Sequence, residues 1–155
     1  MTFGSVRHHV RIERPAHDVW ELAGDAARLH EWFPGIDSCQ VDGNRRVIVL
    51  GSGVPMPEEI IVNDPVLRRF QYRLDAPVIE FHRGTIDVLD LGDGTCVVTY
   101  QTDCDPRTMA LTIGGGTAGA LDELKRQMET PVSATSPATA PATALVTVPA
   151  ARTES

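Results

Sequence analysis

The sequence predicts an α+β fold in which a curved antiparallel sheet closes around one late helix. Three observations carry this. Two-residue alternation marks a first strand and then a run of strands from about residue 36 to 104. Only two short helical segments lie between the first strand and the rest. Helical sequence then returns once, after Asp105-Pro106, where Asp105 suits an N-cap and Pro106 the first helical position. A long sheet with one late helix buries its apolar face by curling around that helix, and the enclosed space suits an apolar small molecule.

The elements follow in order. Val6, His8, Val10 and Ile12 alternate with Arg7, His9, Arg11 and Glu13, which reads as a half-buried strand over 5–13 with His8 inward as a satisfied core histidine. Pro15 opens a helix carrying Val19, Trp20 and Leu22, with Trp20 expected in the core. Asp25 caps a second short helix, Ala26 to Trp32, which Pro34-Gly35 ends. Strands are expected near 36–42, 45–51, 57–63, 67–74, 78–90 and 95–104, with turns at Asp42-Gly43-Asn44, Asp75-Ala76-Pro77 and Gly92-Asp93-Gly94. In the last helix Gly114, Gly115 and Gly116 each cost about 1 kcal/mol relative to alanine. This predicts a break into pieces near Arg107–Ile113 and Thr117–Glu129, either a tolerated loop or a hinge that lets Met109 and Ile113 cover the cavity. Ala118, Leu121, Leu124 and Met128 form the expected buried stripe. The same run contains G-x-G-x-x-G, but no parallel strand precedes it and no βαβ unit holds it, so a dinucleotide site is not read from it.

The 155 residues suffice for one domain with a real core, expected over 1–129. From Thr130 the chain is almost entirely Pro, Ala, Thr, Ser and Val, which predicts a disordered tail over 130–155. The net charge is −7, and the adjacent basic pairs Arg45-Arg46, Arg68-Arg69 and Lys125-Arg126 are scattered, which speaks against nucleic acid and an anionic membrane surface as partners. Three cysteines, Cys39, Cys96 and Cys104, make neither a disulfide framework nor a C-x-x-C metal motif, and no cofactor or metal is expected. No signal peptide or membrane-spanning apolar run is visible, so a cytoplasmic location is expected.

The stretch RPAHDVWELAGDAARLHEWFPGIDSCQVDG resembles the N-terminal signature of the START-like (SRPBCC) superfamily, and of its polyketide cyclase/dehydrase and lipid transport group. Pro15, Val19, Trp20, Asp25, Trp32, Pro34 and Gly35 sit on that pattern. The segments 58–64, 70–74 and 92–100 are similar to the family's middle strands. The resemblance implies a helix-grip fold: a seven-stranded antiparallel sheet wrapped around a C-terminal helix, with two short helices between strands one and two and a deep cavity inside. It further implies a hydrophobic ligand of lipid, polyketide or quinone type. It supplies no catalytic motif to carry across, and fold does not name function.

Strand parity suggests the pocket. Phe70, Tyr72 and Leu74 share one face, as do Glu80, His82, Gly84 and Ile86, and as do Cys96, Val98, Tyr100, Thr102 and Cys104. Expected ligand contacts are therefore Phe33, Phe70, Tyr72, Glu80, His82, Tyr100, Thr102, Met109 and Ile113. Hairpin geometry puts Glu80 opposite Tyr72 and His82 between Phe70 and Thr102. His82 and Glu80 could then work as an acid–base pair with Tyr72 or Tyr100 as donor, or simply bond each other near the mouth. Three functions stay open: a carrier or chaperone for a hydrophobic molecule, a polyketide cyclase or dehydratase, and a protein-interaction module like the ribosome-associated toxin type. The first is favoured. Oligomeric state is not legible.

Overall fold

The computed structural model describes residues 3–131. The segment read as a tail lies, beyond residue 131, outside the described residues. Strand β1 is Gly4–Ile12. Helix α1, Ala16–Ala23, a 3₁₀ turn, Ala26–Arg28, and helix α2, Leu29–Trp32, follow. Then come β2 (Ile36–Asp42), β3 (Arg45–Leu50), β4 (Pro55–Asp64), β5 (Arg69–Leu74), β6 (Phe81–Asp90) and β7 (Cys96–Asp105), and finally helix α3, Arg107–Glu129. The strands form one antiparallel sheet in the order β1-β7-β6-β5-β4-β3-β2, and α3 lies against β1 and β7. This is the helix-grip arrangement.

Local signals explain most boundaries. The Asp25 side chain accepts from the Ala27 N–H at 2.9 Å and caps the 3₁₀ turn. Gly92 and Gly94, both at positive φ, turn the chain from β6 into β7. Trp32 is buried in the core, whereas Trp20 is half-buried and lies over Gly24, where a Cβ would meet its ring. The β7 ladder extends to Asp105, opposite Phe81, so the cap of α3 moves from the expected Asp105 to Pro106.

The expected break in the last helix does not occur. Helix α3 is continuous through Gly114, Gly115 and Gly116. Packing overrides propensity here. A Cβ on Gly114 would lie 2.7 Å from Val6 Cγ1, and one on Gly4 would lie 2.9 Å from the Ala110 Cβ. The small residues thus let the helix settle directly onto β1. The buried face is Ala110, Gly114, Thr117, Ala120, Leu121 and Leu124, while Ala118 and Met128 are only half-buried. Its small N-terminal half needs close approach, and its leucines fill the wider space beyond. Lys125 Nζ donates to the Arg11 carbonyl at 2.8 Å, and the Glu13 N–H donates to Glu129 Oε1 at 2.8 Å, tying the far end of α3 to β1.

This packing separates two neighbouring glycines. Gly115 is exposed with nothing within 4 Å of an added Cβ. Gly115→Ala should therefore raise stability by about 1 kcal/mol through helix propensity. Gly114→Ala should lower it by about 1–3 kcal/mol through overpacking against Val6. Urea unfolding of the two variants checks this, and equal gains at both positions would contradict the close seat of α3 on β1.

Candidate functional site

The helix and sheet enclose a cavity of about 330 Å³. Its mouth lies between Phe33, Pro34 and Gly35 on one side and Met109, Ile113 and Gly116 of α3 on the other. Ile48, Leu50 and Met56 of the β3–β4 hairpin form an apolar wall. Gly116 leaves room where a side chain would press on Phe33, since a Cβ there would lie 3.3 Å from Phe33 Cζ.

The polar end of the cavity is built from four buried side chains. Tyr72 of β5 and Tyr100 of β7 join their hydroxyls at 2.7 Å. Burial raises the pKa of both well above the ordinary tyrosine value, so they remain protonated at neutral pH. Tyr72 can lie flat because Gly84, opposite it on β6, has no Cβ to meet the ring. On the β3–β4 hairpin Arg46 faces Glu58, and Arg46 Nε donates to Glu58 Oε2 at 2.5 Å. Both residues are 2 % exposed. Arg46 Nη1 also donates to the Ala26 carbonyl at 3.2 Å, and its guanidinium sits 5.1 and 5.0 Å from the ring centres of Phe70 and Tyr72. Burial pushes the Glu58 carboxyl up against the opposing pull of Arg46. For Arg46 burial is the largest influence and works against the charge, but Glu58, Tyr72 and Tyr100 together outweigh it and the pKa is raised.

The structure distributes the expected site residues unevenly. Phe33, Tyr72, Tyr100, Met109 and Ile113 line the cavity. Phe70 is buried under Arg46, and Thr102 is buried opposite Gly84 with its hydroxyl unpaired, away from the cavity lining. Glu80 and His82 line a separate polar groove of about 400 Å³ beside Arg73 and Arg83. Of the expected His82–Glu80–Tyr72 cluster, the His82 and Tyr72 rings lie 5.4 Å apart between centres, but Glu80 is exposed and does not stand opposite Tyr72. The reason is register. Pairing of β5 with β6 ends at Tyr72 opposite Gly84, and His82 falls opposite Cys104 rather than between Phe70 and Thr102. Residues 75–80 turn outside β6, with the Ile79 N–H donating to the Ala76 carbonyl, and Glu80 is exposed. His82 Nδ1 instead accepts from the Leu74 N–H at 3.1 Å, and its Nε2 is buried without a partner.

Arg46 and Glu58 are the site residues that strand parity could have found. Each alternates with inward apolar neighbours, Arg46 with Ile48 and Leu50, and Glu58 with Met56 and Ile60. An adjacent basic pair such as Arg45-Arg46 is more often solvated than buried, which hides the inward parity of Arg46. Among the described residues no group of three or more His, Cys, Asp or Glu side chains is placed to hold a metal, and no helix is long and apolar enough to cross a membrane.

Burial lowers the His82 pKa from 6.5 to about 4. The folded state keeps the imidazole neutral, while the unfolded chain takes up a proton below about pH 6.5. Stability should therefore fall as pH drops from about 6.5 toward 4, by at most about 3 kcal/mol from this residue. His82→Asn keeps an acceptor for Leu74 and removes the titration. Urea unfolding between pH 7.5 and 5 should show a smaller loss in the variant than in the parent, and parallel curves would refute a buried neutral His82.

Residues 4–129 match the family described as polyketide cyclase / dehydrase and lipid transport. No curated protein matches the sequence. Solved structures that share the fold include the protein XoxI from Bacillus cereus, with a TM-score of 0.75 at 21% identity over 81% of this chain and 95% of that one. A START superfamily protein from Mycobacterium smegmatis has a TM-score of 0.68 at 14% identity over 81% and 97% of the two chains. The Zhui aromatase/cyclase from Streptomyces sp. R1128 has a TM-score of 0.68 at 18% identity over 82% and 94%. At these identities the likeness is one of fold. The family match over nearly the whole described chain, on a helix-grip sheet that encloses an apolar cavity, makes this protein a member of the START-like polyketide cyclase / dehydrase and lipid transport family.

Proposed function

We propose that the protein binds a hydrophobic small molecule of lipid, polyketide or quinone type in its internal cavity and acts as the carrier or chaperone of that molecule. The observation that carries this reading is the cavity itself, with apolar walls and a single polar end. Its volume sits at the lower end of the range of about 300–1,000 Å³ usual for small-molecule sites. A compact ligand of two or three rings, or a short chain, fits that scale better than a full membrane lipid.

The cyclase or dehydratase alternative has weaker support. It requires a proton donor and acceptor poised near neutral pH at the ligand. Tyr72 and Tyr100 are held protonated by burial, and His82 and Glu80 belong to the separate groove. Glu58 is the cavity's titratable acid, and a fold shared with an aromatase/cyclase does not by itself supply a reaction for it. The protein-interaction alternative has only exposed apolar side chains such as Val66, Leu67 and Val78 in its favour. A cytoplasmic site of action is part of the proposal, supported by free thiols at Cys39, Cys96 and Cys104.

Native mass spectrometry of freshly purified protein, followed by denaturing extraction, tests the reading. A discrete small-molecule adduct is expected, and it should be absent from Ile113→Trp, whose indole would fill the mouth while the core stays intact. An adduct retained in a folded Ile113→Trp variant would place binding elsewhere. An empty parent protein that also shows no melting shift with 2-naphthol, decanol or a short-chain ubiquinone would sink the carrier reading.

A further inference from the structure

The two charges at the closed end of the cavity are not equivalent. Glu58 lines the cavity and Arg46 does not. The guanidinium is sealed behind the rings of Phe70 and Tyr72, and its Nη2 is buried without a partner. It holds only one oxygen of the carboxylate, Oε2. The other oxygen, Oε1, has no hydrogen-bond partner among the described residues. The cavity therefore meets this ion pair from its anionic side. Beside it stand the two tyrosine hydroxyls, which have two protons and use one between themselves. The polar end offers a carboxylate acceptor and one phenolic donor, a few side chains apart on neighbouring strands.

From this arrangement we infer that the cavity selects a neutral, hydroxyl-ended ligand, a phenol or alcohol on an apolar body, over carboxylate-ended molecules such as fatty-acid anions. The inference rests on the cavity-binding proposal and names the chemistry of its ligand. A ligand hydroxyl donates to Glu58 Oε1 and accepts the spare tyrosine proton, which pairs the polar groups that the cavity itself exposes, while Arg46 Nη2 stays sealed behind the rings. A ligand with an acceptor only leaves Oε1 desolvated and unmatched, the situation in which a buried site rejects an analogue most strongly. A ligand carboxylate brings a second negative charge against Glu58 in a site of low dielectric, and it enters only by taking up a proton. An ammonium-ended ligand gains less than its charge suggests, because Arg46 already compensates Glu58 from behind.

Three ligands on one ring system separate these effects: 2-naphthol, 2-methoxynaphthalene and 2-naphthoate, titrated calorimetrically into the full-length protein at neutral pH. The donor contact predicts that 2-naphthol binds at least about tenfold more tightly than its methyl ether, the scale of one hydrogen bond to a charged group. The naphthoate should bind more weakly still. In Glu58→Gln the discrimination against naphthoate should shrink by about tenfold, because an amide presents no charge and adds a donor. Equal affinity for naphthol and its ether, or tighter binding of naphthoate, would overturn the inference while leaving the carrier reading intact. Unchanged discrimination in a folded Glu58→Gln variant would remove Glu58 as its source. Binding of none of the three would overturn the inference, and the carrier reading would then rest on the adduct and melting-shift experiment alone. The series on the parent protein decides the ligand chemistry even where the variant does not fold.

Discussion

An ion pair buried at the closed end of the cavity is the constraint on which the character of the site depends. Arg46 and Glu58 oppose each other on β3 and β4, inside the curve of the sheet, where isolated charges would be expelled. They are tolerated because each charge is answered, although Arg46 Nη2 keeps no partner. Glu58 answers Arg46, the Ala26 carbonyl takes a second guanidinium hydrogen, and Phe70 and Tyr72 cover the guanidinium. The Ala26 contact also fixes the 3₁₀ turn and the short α2 helix over the hairpin. Buried pairs of this kind seldom stabilise a protein more than well-packed apolar residues would. Their presence beside a cavity is better explained by what they present to a ligand.

The second requirement is that the gripping helix come close without filling the space it closes. The glycine run meets both halves of it. Gly114 faces β1 and brings the helix against Val6, whereas Gly116 faces the cavity and Phe33. Beyond Thr117 the helix carries leucines and the core is solid, with Leu121 and Leu124 fully buried. The cavity is thus a consequence of where side-chain volume stops along α3. It needs no distortion of the helix.

These features differ in how far they could be read from the chain. The element order, the seven strands, the Asp25 cap and the inward tyrosines follow from periodicity and local chemistry, which act within a few residues. Register is different, because it depends on where pairing ends between two strands. The segment 75–80 turns outside the sheet, and that moves Glu80 to the surface and His82 two positions from its expected neighbours. The glycines of α3 were misjudged for a related reason. Propensity is local, while the contact with Val6 joins residues more than a hundred positions apart. Arg46 and Glu58 were legible in principle, as opposite charges on the inward parity of a hairpin. They were obscured because a charged side chain is far more often solvated than buried.

Whether the Arg46–Glu58 pair serves the ligand or the fold can be separated by experiment. The most direct test is the ligand preference of the double variant Arg46→Met, Glu58→Leu, which replaces the pair by apolar residues of similar size. The prediction is a folded protein, at least as resistant to urea as the parent, that binds 2-naphthol no more tightly than 2-methoxynaphthalene. A double variant that keeps the parent's preference for the hydroxyl, or that cannot fold without the pair, would contradict assigning the pair to the ligand.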